Sequence, residues 1–132
     1  MATVTITKEN AQQTANGNDV VFLEFWASWC PSCRAFNPVY ESAAERHRDL
    51  VFGTVNTEEQ RELAGAFGVR LIPTVVAIKN NAVVGVNAGA MSGQKLADMI
   101  RDMRAKTGGN GAAARDAMRS GVLGGARPVR PQ

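Results

Sequence analysis

Between residues 24 and 36 the chain reads EFWASWCPSCRAF, and these thirteen positions hold one carboxylate, two tryptophans and the protein's only two cysteines. Two residues separate Cys30 from Cys33, a spacing that suits a short cross-link, half of a metal site, or a dithiol that exchanges with other disulfides. As a cross-link it is weak, because closing so short a loop constrains the unfolded chain by only about 2 kcal/mol. A chain of 132 residues also buries enough surface to form a core without covalent help. A closed zinc site wants four ligands, and the chain offers two cysteines and one histidine. That histidine, His47, sits between Arg46 and Arg48 near the end of a helical stretch and reads as a solvated helix residue. Exchange has the better chemical logic. With Cys30 at a helix N-cap and Pro31 at the first helical position, the sulfur faces unpaired N–H groups and the positive end of the helix dipole. Such surroundings bring a cysteine pKa down from about 8.5 into the range ~3.5 to 7.5, so that the nucleophilic thiolate is present at neutral pH. Cys33, one turn into the helix, then attacks a mixed disulfide formed at Cys30.

The elements that must hold these residues follow from hydrophobic period. TVTIT, residues 3 to 7, alternates as a strand does, and KENAQQTA predicts a short helix before the turn Asn16-Gly17-Asn18-Asp19. Residues 20 to 27, VVFLEFWA, are apolar at seven of eight positions, which predicts a central strand covered on both faces and interrupted only by Glu24. From Pro31 to about Arg48, the spacing of Phe36, Val39, Tyr40 and Ala43 predicts an amphipathic helix, which Pro38 should kink. VFGTV, residues 51 to 55, reads as a third strand. Thr57 to Gln60 reads as a T-x-x-Q capping box opening a helix that turns Leu63, Ala64 and Phe67 inward and ends near Gly68. Pro73 opens the strand TVVAI, and the turn Asn80-Asn81 pairs it antiparallel with AVVGVNAG. A last helix runs from Ser92 to about Lys106, with Leu96, Met99, Ile100 and Met103 as core residues.

The formal charge of +3 is a property of one end of the chain. Residues 1 to 106 carry equal numbers of basic and acidic side chains, whereas residues 107 to 132 carry four arginines and one aspartate. This segment, rich in glycine, arginine and proline and lacking aromatic residues, is expected to be a disordered solvating tail with at most a marginal helix around AAARDAMR. The sequence therefore divides into a domain at 1 to 106 and a tail at 107 to 132, and the net charge is not a reason to expect nucleic acid as a partner. The N-terminus has no basic-then-apolar leader, and there is no run of about 18 apolar residues. Both point to a soluble cytoplasmic protein with no membrane partner, in a compartment where exposed thiols are kept reduced.

WASWCPSC, the proline five residues after its second cysteine, the IPT at 72 to 74 and VNAGAMS together resemble a bacterial thioredoxin over residues 3 to 106. The resemblance implies an α/β thioredoxin fold, a central mixed sheet of about five strands with helices on both faces. It also implies reduction of protein disulfides without a bound cofactor or metal, recharging by a thioredoxin reductase, and a monomer. Position by position, it makes Cys30 the exposed nucleophile and Cys33 the resolving thiol. Trp29 becomes the tryptophan before the active site, Trp26 the packing tryptophan and Pro38 the helix proline. Pro73 becomes a cis-proline facing the cysteines, and Ile72, Gly89 and Pro31 border the groove that takes an extended substrate. Three positions depart from the pattern. The family's buried aspartate is Glu24, the lysine near it is Thr54, and Pro31-Ser32 replaces Gly-Pro between the cysteines. A buried carboxylate without a cation favours its neutral form, so Glu24 is expected to relay a proton to or from Cys33. An alternative outside enzymes is a redox-independent binding module or holdase using the apolar rim of Trp29, Ile72 and Pro73.

Overall fold

A computed structural model describes residues 2 to 106, so the disordered tail expected from residue 107 onward lies outside the described residues. The elements, numbered in chain order, are β1 (Val4–Thr5), α1 (Ala11–Asn16), β2 (Val20–Trp26), α2 (Pro31–Arg46), β3 (Val51–Asn56), α3 (Arg61–Ala66), β4 (Thr74–Lys79), β5 (Ala82–Ala88) and α4 (Gly93–Ala105). The strands form one mixed sheet in the order β1-β3-β2-β4-β5. β1, β3 and β2 run parallel, whereas β4 is antiparallel to β2 and β5 to β4. This is the five-stranded, two-sided architecture expected from the alternation of strand and helix patterns.

Because side chains alternate across a strand, the apolar run of β2 feeds two cores. Val21, Leu23 and Phe25 join Ile6, Leu63, Phe67, Val76 and Ile78 beneath α1 and α3. Val20 and Phe22 join Phe36, Tyr40, Phe52, Leu96 and Ile100 beneath α2 and α4. Phe22 stacks on Phe52 with ring centroids 4.9 Å apart, and Tyr40 meets the same Phe52 edge-on at 5.5 Å. The Tyr40 hydroxyl donates to the Gly53 carbonyl oxygen at 2.8 Å, which satisfies a buried polar group and ties α2 to β3. Gly53 has no room for a side chain, since a Cβ there would lie 2.5 Å from Cγ1 of Ile6.

Most of the expected elements are present, and the departures have identifiable physical causes. The first strand is only two residues long, because after Ile6 the chain turns in a reciprocal cap. Asn10 Oδ1 accepts from the Thr7 amide at 2.9 Å, and Thr7 Oγ1 accepts from the Asn10 amide at 3.3 Å. The capping box expected at Thr57 to Gln60 does not form. Thr57 donates its hydroxyl to the Trp26 carbonyl oxygen at 3.1 Å, Gln60 Oε1 accepts from the Lys8 amide at 2.9 Å, and α3 begins at Arg61 with no side-chain cap. Both groups are spent on tertiary contacts that the local pattern does not reveal. Helix α2 is continuous through Pro38. Asn80 and Asn81 both adopt positive φ, at 52° and 68°, as the tight β4–β5 hairpin requires. His47 is the C-cap of α2 rather than a freely solvated residue, with Nδ1 3.1 Å from a guanidinium nitrogen of Arg104. Among the described residues, no helix is long and apolar enough to cross a membrane.

Candidate active site at the start of helix α2

The chain leaves β2 at Trp26, passes through Ala27, Ser28 and Trp29, and enters α2 at Cys30 with Pro31 as the first helical residue. Pro31 suits that position because its missing N–H has no intrahelical partner there in any case. Cys30 is the N-cap in extended conformation, and its Sγ accepts a hydrogen bond from the Cys33 amide at 3.1 Å. The Ser32 hydroxyl lies 3.6 Å from the same sulfur, and the Ile72 carbonyl oxygen lies 3.9 Å away. Burial pushes the Cys30 thiol up, but hydrogen bonds from the Cys33 thiol, the Ser32 hydroxyl and the amides of both residues outweigh it, so the net shift is downward. Cys33 is displaced in the opposite sense. It is wholly buried, and burial, its hydrogen bond to Cys30 and the nearby negative charges raise its thiol to about 12.

Cys30 was expected to be the exposed member of the pair, and in the structure it is only 3% exposed. Its sulfur turns toward the helix end and the Ile72 carbonyl, within a cluster formed by Ala27, Cys33, Trp26 and Ile72. The surface around it is what projects. Trp29 is 63% exposed and Leu71 53%, and these are two of the three large apolar side chains most open to solvent among the described residues. Leu71 was missed by sequence reasoning, because a leucine two residues before a proline carries no signal that distinguishes it from core. Ile72-Pro73 is a cis peptide bond, as the IPT match implied. The Thr74 hydroxyl bonds to the Leu71 carbonyl across the same turn. Gly89, at φ +99°, donates its amide to the Pro73 carbonyl at 2.7 Å, so a residue able to take left-handed backbone stands beside the turn. The structure therefore brings Trp29, Cys30, Leu71, Ile72, Pro73 and Gly89 to one end of the sheet. Pro31 is exposed at the start of the helix, and Pro38 is exposed further along it, away from this rim.

Glu24 lies on the face of β2 that meets α2, and it is 1% exposed. Burial, reinforced by the charge on Cys30, raises its carboxyl to about 8. Thr54, which stands where the resemblance places a lysine, is its direct neighbour on β3. A cleft of about 580 Å³ is lined in part by Glu24, Trp26, Arg34, Asn37 and Thr54. With its nitrogen turned inward, the side-chain amide of Asn37 donates to Glu24 Oε2 at 2.6 Å and to the Cys33 carbonyl oxygen at 2.9 Å. Asn37 also went unnoticed in the sequence, because an asparagine before a proline on a helix surface is unremarkable until the opposite strand is in view.

A strand leading into a helix whose N-cap thiol is activated, with a second thiol one turn inside, defines a thiol-disulfide exchange centre. The thioredoxin family model matches residues 2–102. The chain is 48% identical over 103 residues to putative thioredoxin 2 of Streptomyces coelicolor, covering 78% of this chain and 77% of that protein. It is 36% identical over 103 residues to thioredoxin of Alicyclobacillus acidocaldarius, covering 77% and 98% of the two. Among solved structures, the short form of thioredoxin f from spinach chloroplast superimposes with a TM-score of 0.73 at 30% identity, over 78% of this chain and 94% of that one. The chain belongs to the thioredoxin family, and it is a thiol-disulfide oxidoreductase that reduces protein disulfides.

Proposed function

We propose that Cys30 is the attacking thiol, Cys33 the resolving thiol and Glu24 the group that relays a proton to or from Cys33. The observation that carries this assignment is the hydrogen bond from the Cys33 amide to Cys30 Sγ at 3.1 Å, which stabilises a thiolate on one cysteine while burial keeps the other protonated. The Cys30 thiolate attacks one sulfur of a substrate disulfide. A Cys30–substrate bond forms, the substrate S–S bond breaks, and the first substrate thiolate leaves. Cys33 then gives its proton to the ionised form of Glu24 and attacks Cys30 Sγ. The Cys30–Cys33 bond forms and the second substrate thiolate leaves, so two electrons have passed to the substrate. A carboxyl with a pKa near 8 suits this step, because both of its protonation states are populated close to neutrality.

The rim of Trp29, Leu71, Ile72 and Pro73, with Gly89 beside it, is the surface on which an extended substrate segment lies. Because Cys30 is recessed, the substrate sulfur must be pressed into this groove to reach it, which favours flexible, exposed disulfides. Trp26 packs against the cluster that holds both cysteines. By its likeness to thioredoxins, the oxidised pair is returned to the dithiol by a thioredoxin reductase, and the protein works as a monomer in the reducing environment of the cytoplasm.

The deciding experiment is insulin disulfide reduction by the wild type, Cys30→Ser and Cys33→Ser in the presence of a reductase. Both serine variants should be inactive, and activity retained by Cys30→Ser would overturn the assignment. A redox-independent binding role on the same apolar rim predicts that client binding survives both substitutions.

A further inference from the structure

Among the described residues no cation is bonded to the buried Glu24 carboxyl, and the isolated strand position does not explain how it holds a fixed orientation toward the dithiol. The groups around it come from β3, from the N-terminal segment at β1, and from α2 with the loop before it. β3 offers Thr54, β1 offers Thr5, and Thr3 just before β1 also lines the cleft wall. The loop and first turn of α2 place Cys30 and Cys33 close enough for charge on Glu24 and Cys30 to act on the others. Further along α2 stand Arg34 and Glu41, which line the cleft but make their hydrogen bonds elsewhere, to the Ser28 carbonyl and to the Ala2 amide and Thr3 hydroxyl. Tyr40 donates to Gly53 and is therefore also committed. Among the described residues, only Asn37 reaches the carboxyl with a side-chain donor.

We infer that Asn37 is a positioning residue for the exchange reaction, an uncharged donor that ties the Glu24 carboxyl to the backbone of the resolving cysteine. The Cys33 carbonyl can only accept, so it fixes which end of the amide faces inward, and the second N–H then points at Glu24 Oε2. Two consequences follow. A proton on Glu24 is directed to Oε1, since Oε2 already receives a hydrogen bond. The bond also strengthens when the carboxyl ionises, so Asn37 holds the Glu24 pKa below the value that burial alone would impose. Asn37 thus takes over part of the work a buried cation would do beside this carboxyl, without adding a charge to the core. The inference rests on the assignment of Glu24 as the proton carrier for Cys33.

The test is the titration of the Glu24 carboxyl, followed by carbon-13 NMR of labelled glutamate in the reduced wild-type protein and in Asn37→Ala and Asn37→Leu. The leucine variant keeps the volume, and the alanine variant guards against overpacking. Loss of the donor should move the Glu24 midpoint upward by about one pH unit, a typical effect for one hydrogen bond to a charged group after partial replacement by water. The pH profile of insulin reduction should shift in the same direction, and introducing Asn37→Leu into Glu24→Gln should leave that profile unmoved. An unchanged Glu24 midpoint in both variants overturns the inference, as does an equal profile shift in the Glu24→Gln background. A fall in melting temperature with no change of midpoint reduces Asn37 to a structural residue and also overturns it. Failure of the underlying assignment has a different signature. The NMR midpoint still shifts on loss of Asn37, but Glu24→Gln reduces insulin at the wild-type rate at every pH.

Discussion

The outer and inner sides of the first turn of α2 start from the same residue type and end with opposite chemistry. On the outer side, Cys30 occupies the N-cap, where unpaired amides and the Ser32 hydroxyl converge on its sulfur and lower its pKa. On the inner side, Cys33 lies three residues later, its own amide among the donors to Cys30, and its sulfur faces buried groups that raise its pKa to about 12. Glu24 shares the inner environment and is raised with it. One turn of helix is enough to separate a nucleophile from a proton-holding thiol, because the separation is made by where donors and solvent are rather than by side-chain type. The outer side is also where apolar surface is left open, at Trp29 and Leu71, whereas on the inner side Glu24 lies buried in the wall of a cleft of about 580 Å³.

The sharpest way to break this contrast is to remove one sulfur at a time in the presence of a disulfide substrate. Cys33→Ser should still attack and then stall, accumulating a mixed disulfide at Cys30 that intact-mass measurement detects. Cys30→Ser should form none. Equal trapping by both variants would show that the two sides are not distinct. A smaller but still large effect is expected on labelling. At pH 7 a thiol with a pKa near 12 is ionised in about one molecule in 10⁵, so brief iodoacetamide treatment of the reduced protein should modify Cys30 at least ~100-fold faster than Cys33. Since Cys30 is itself nearly covered, this selectivity reflects thiolate content more than exposure. Peptide mapping showing Cys33 as the main product would invert the assignment.

Next comes Glu24→Gln, which should slow insulin reduction by roughly 100-fold near neutral pH, the usual size of a general-base contribution. It should also change the stability profile in a defined direction. The folded carboxyl keeps its proton up to about 8, whereas the unfolded one releases it near 4.5. Glu24 therefore favours the folded state most below pH 4.5, and that advantage is lost as the pH rises through 8, by about 1.4 kcal/mol for each unit of the interval at most. Urea unfolding at pH 5 and pH 9 should show the wild type losing stability and Glu24→Gln losing much less. Equal losses in the two proteins would place the Glu24 pKa near its ordinary value.

The smallest expected effect refines the outer side. Replacing Pro31-Ser32 with Gly-Pro removes the Ser32 hydroxyl and the Ser32 amide from around Cys30 Sγ. Weaker stabilisation of the thiolate makes the reduced form less favoured, so the variant should be less oxidising, by up to about 30 mV for roughly 1.4 kcal/mol of lost hydrogen bonding. Equilibration of both proteins against glutathione measures the difference. A variant that is equally or more oxidising would mean that backbone changes outweigh the lost donors.

The local sequence was sufficient for whatever depends on period, capping and turn chemistry. The apolar run of β2, the helix start at Cys30-Pro31, the Asn80-Asn81 hairpin and the amphipathic α4 are all decided by neighbours a few residues away. The thiolate at Cys30 belongs to this group, because its donors lie within three residues of it. The tertiary structure decided what long-range contacts impose. Thr57 and Gln60 look like a helix cap, but Trp26 and Lys8 claim their side chains, and no local pattern registers partners 31 and 52 residues away. Leu71 becomes exposed because the turn before Pro73 projects it beside Trp29, and Cys30 becomes recessed because Ile72, 42 residues distant, closes over its sulfur. The environment of Glu24 is the clearest case. Composition marked it as a carboxylate inside an apolar strand, but its orientation depends on Asn37, which the packing of α2 against the sheet carries to its side. Hydrogen-bond partners and desolvation are properties of space, and the chain brings them together only when it folds.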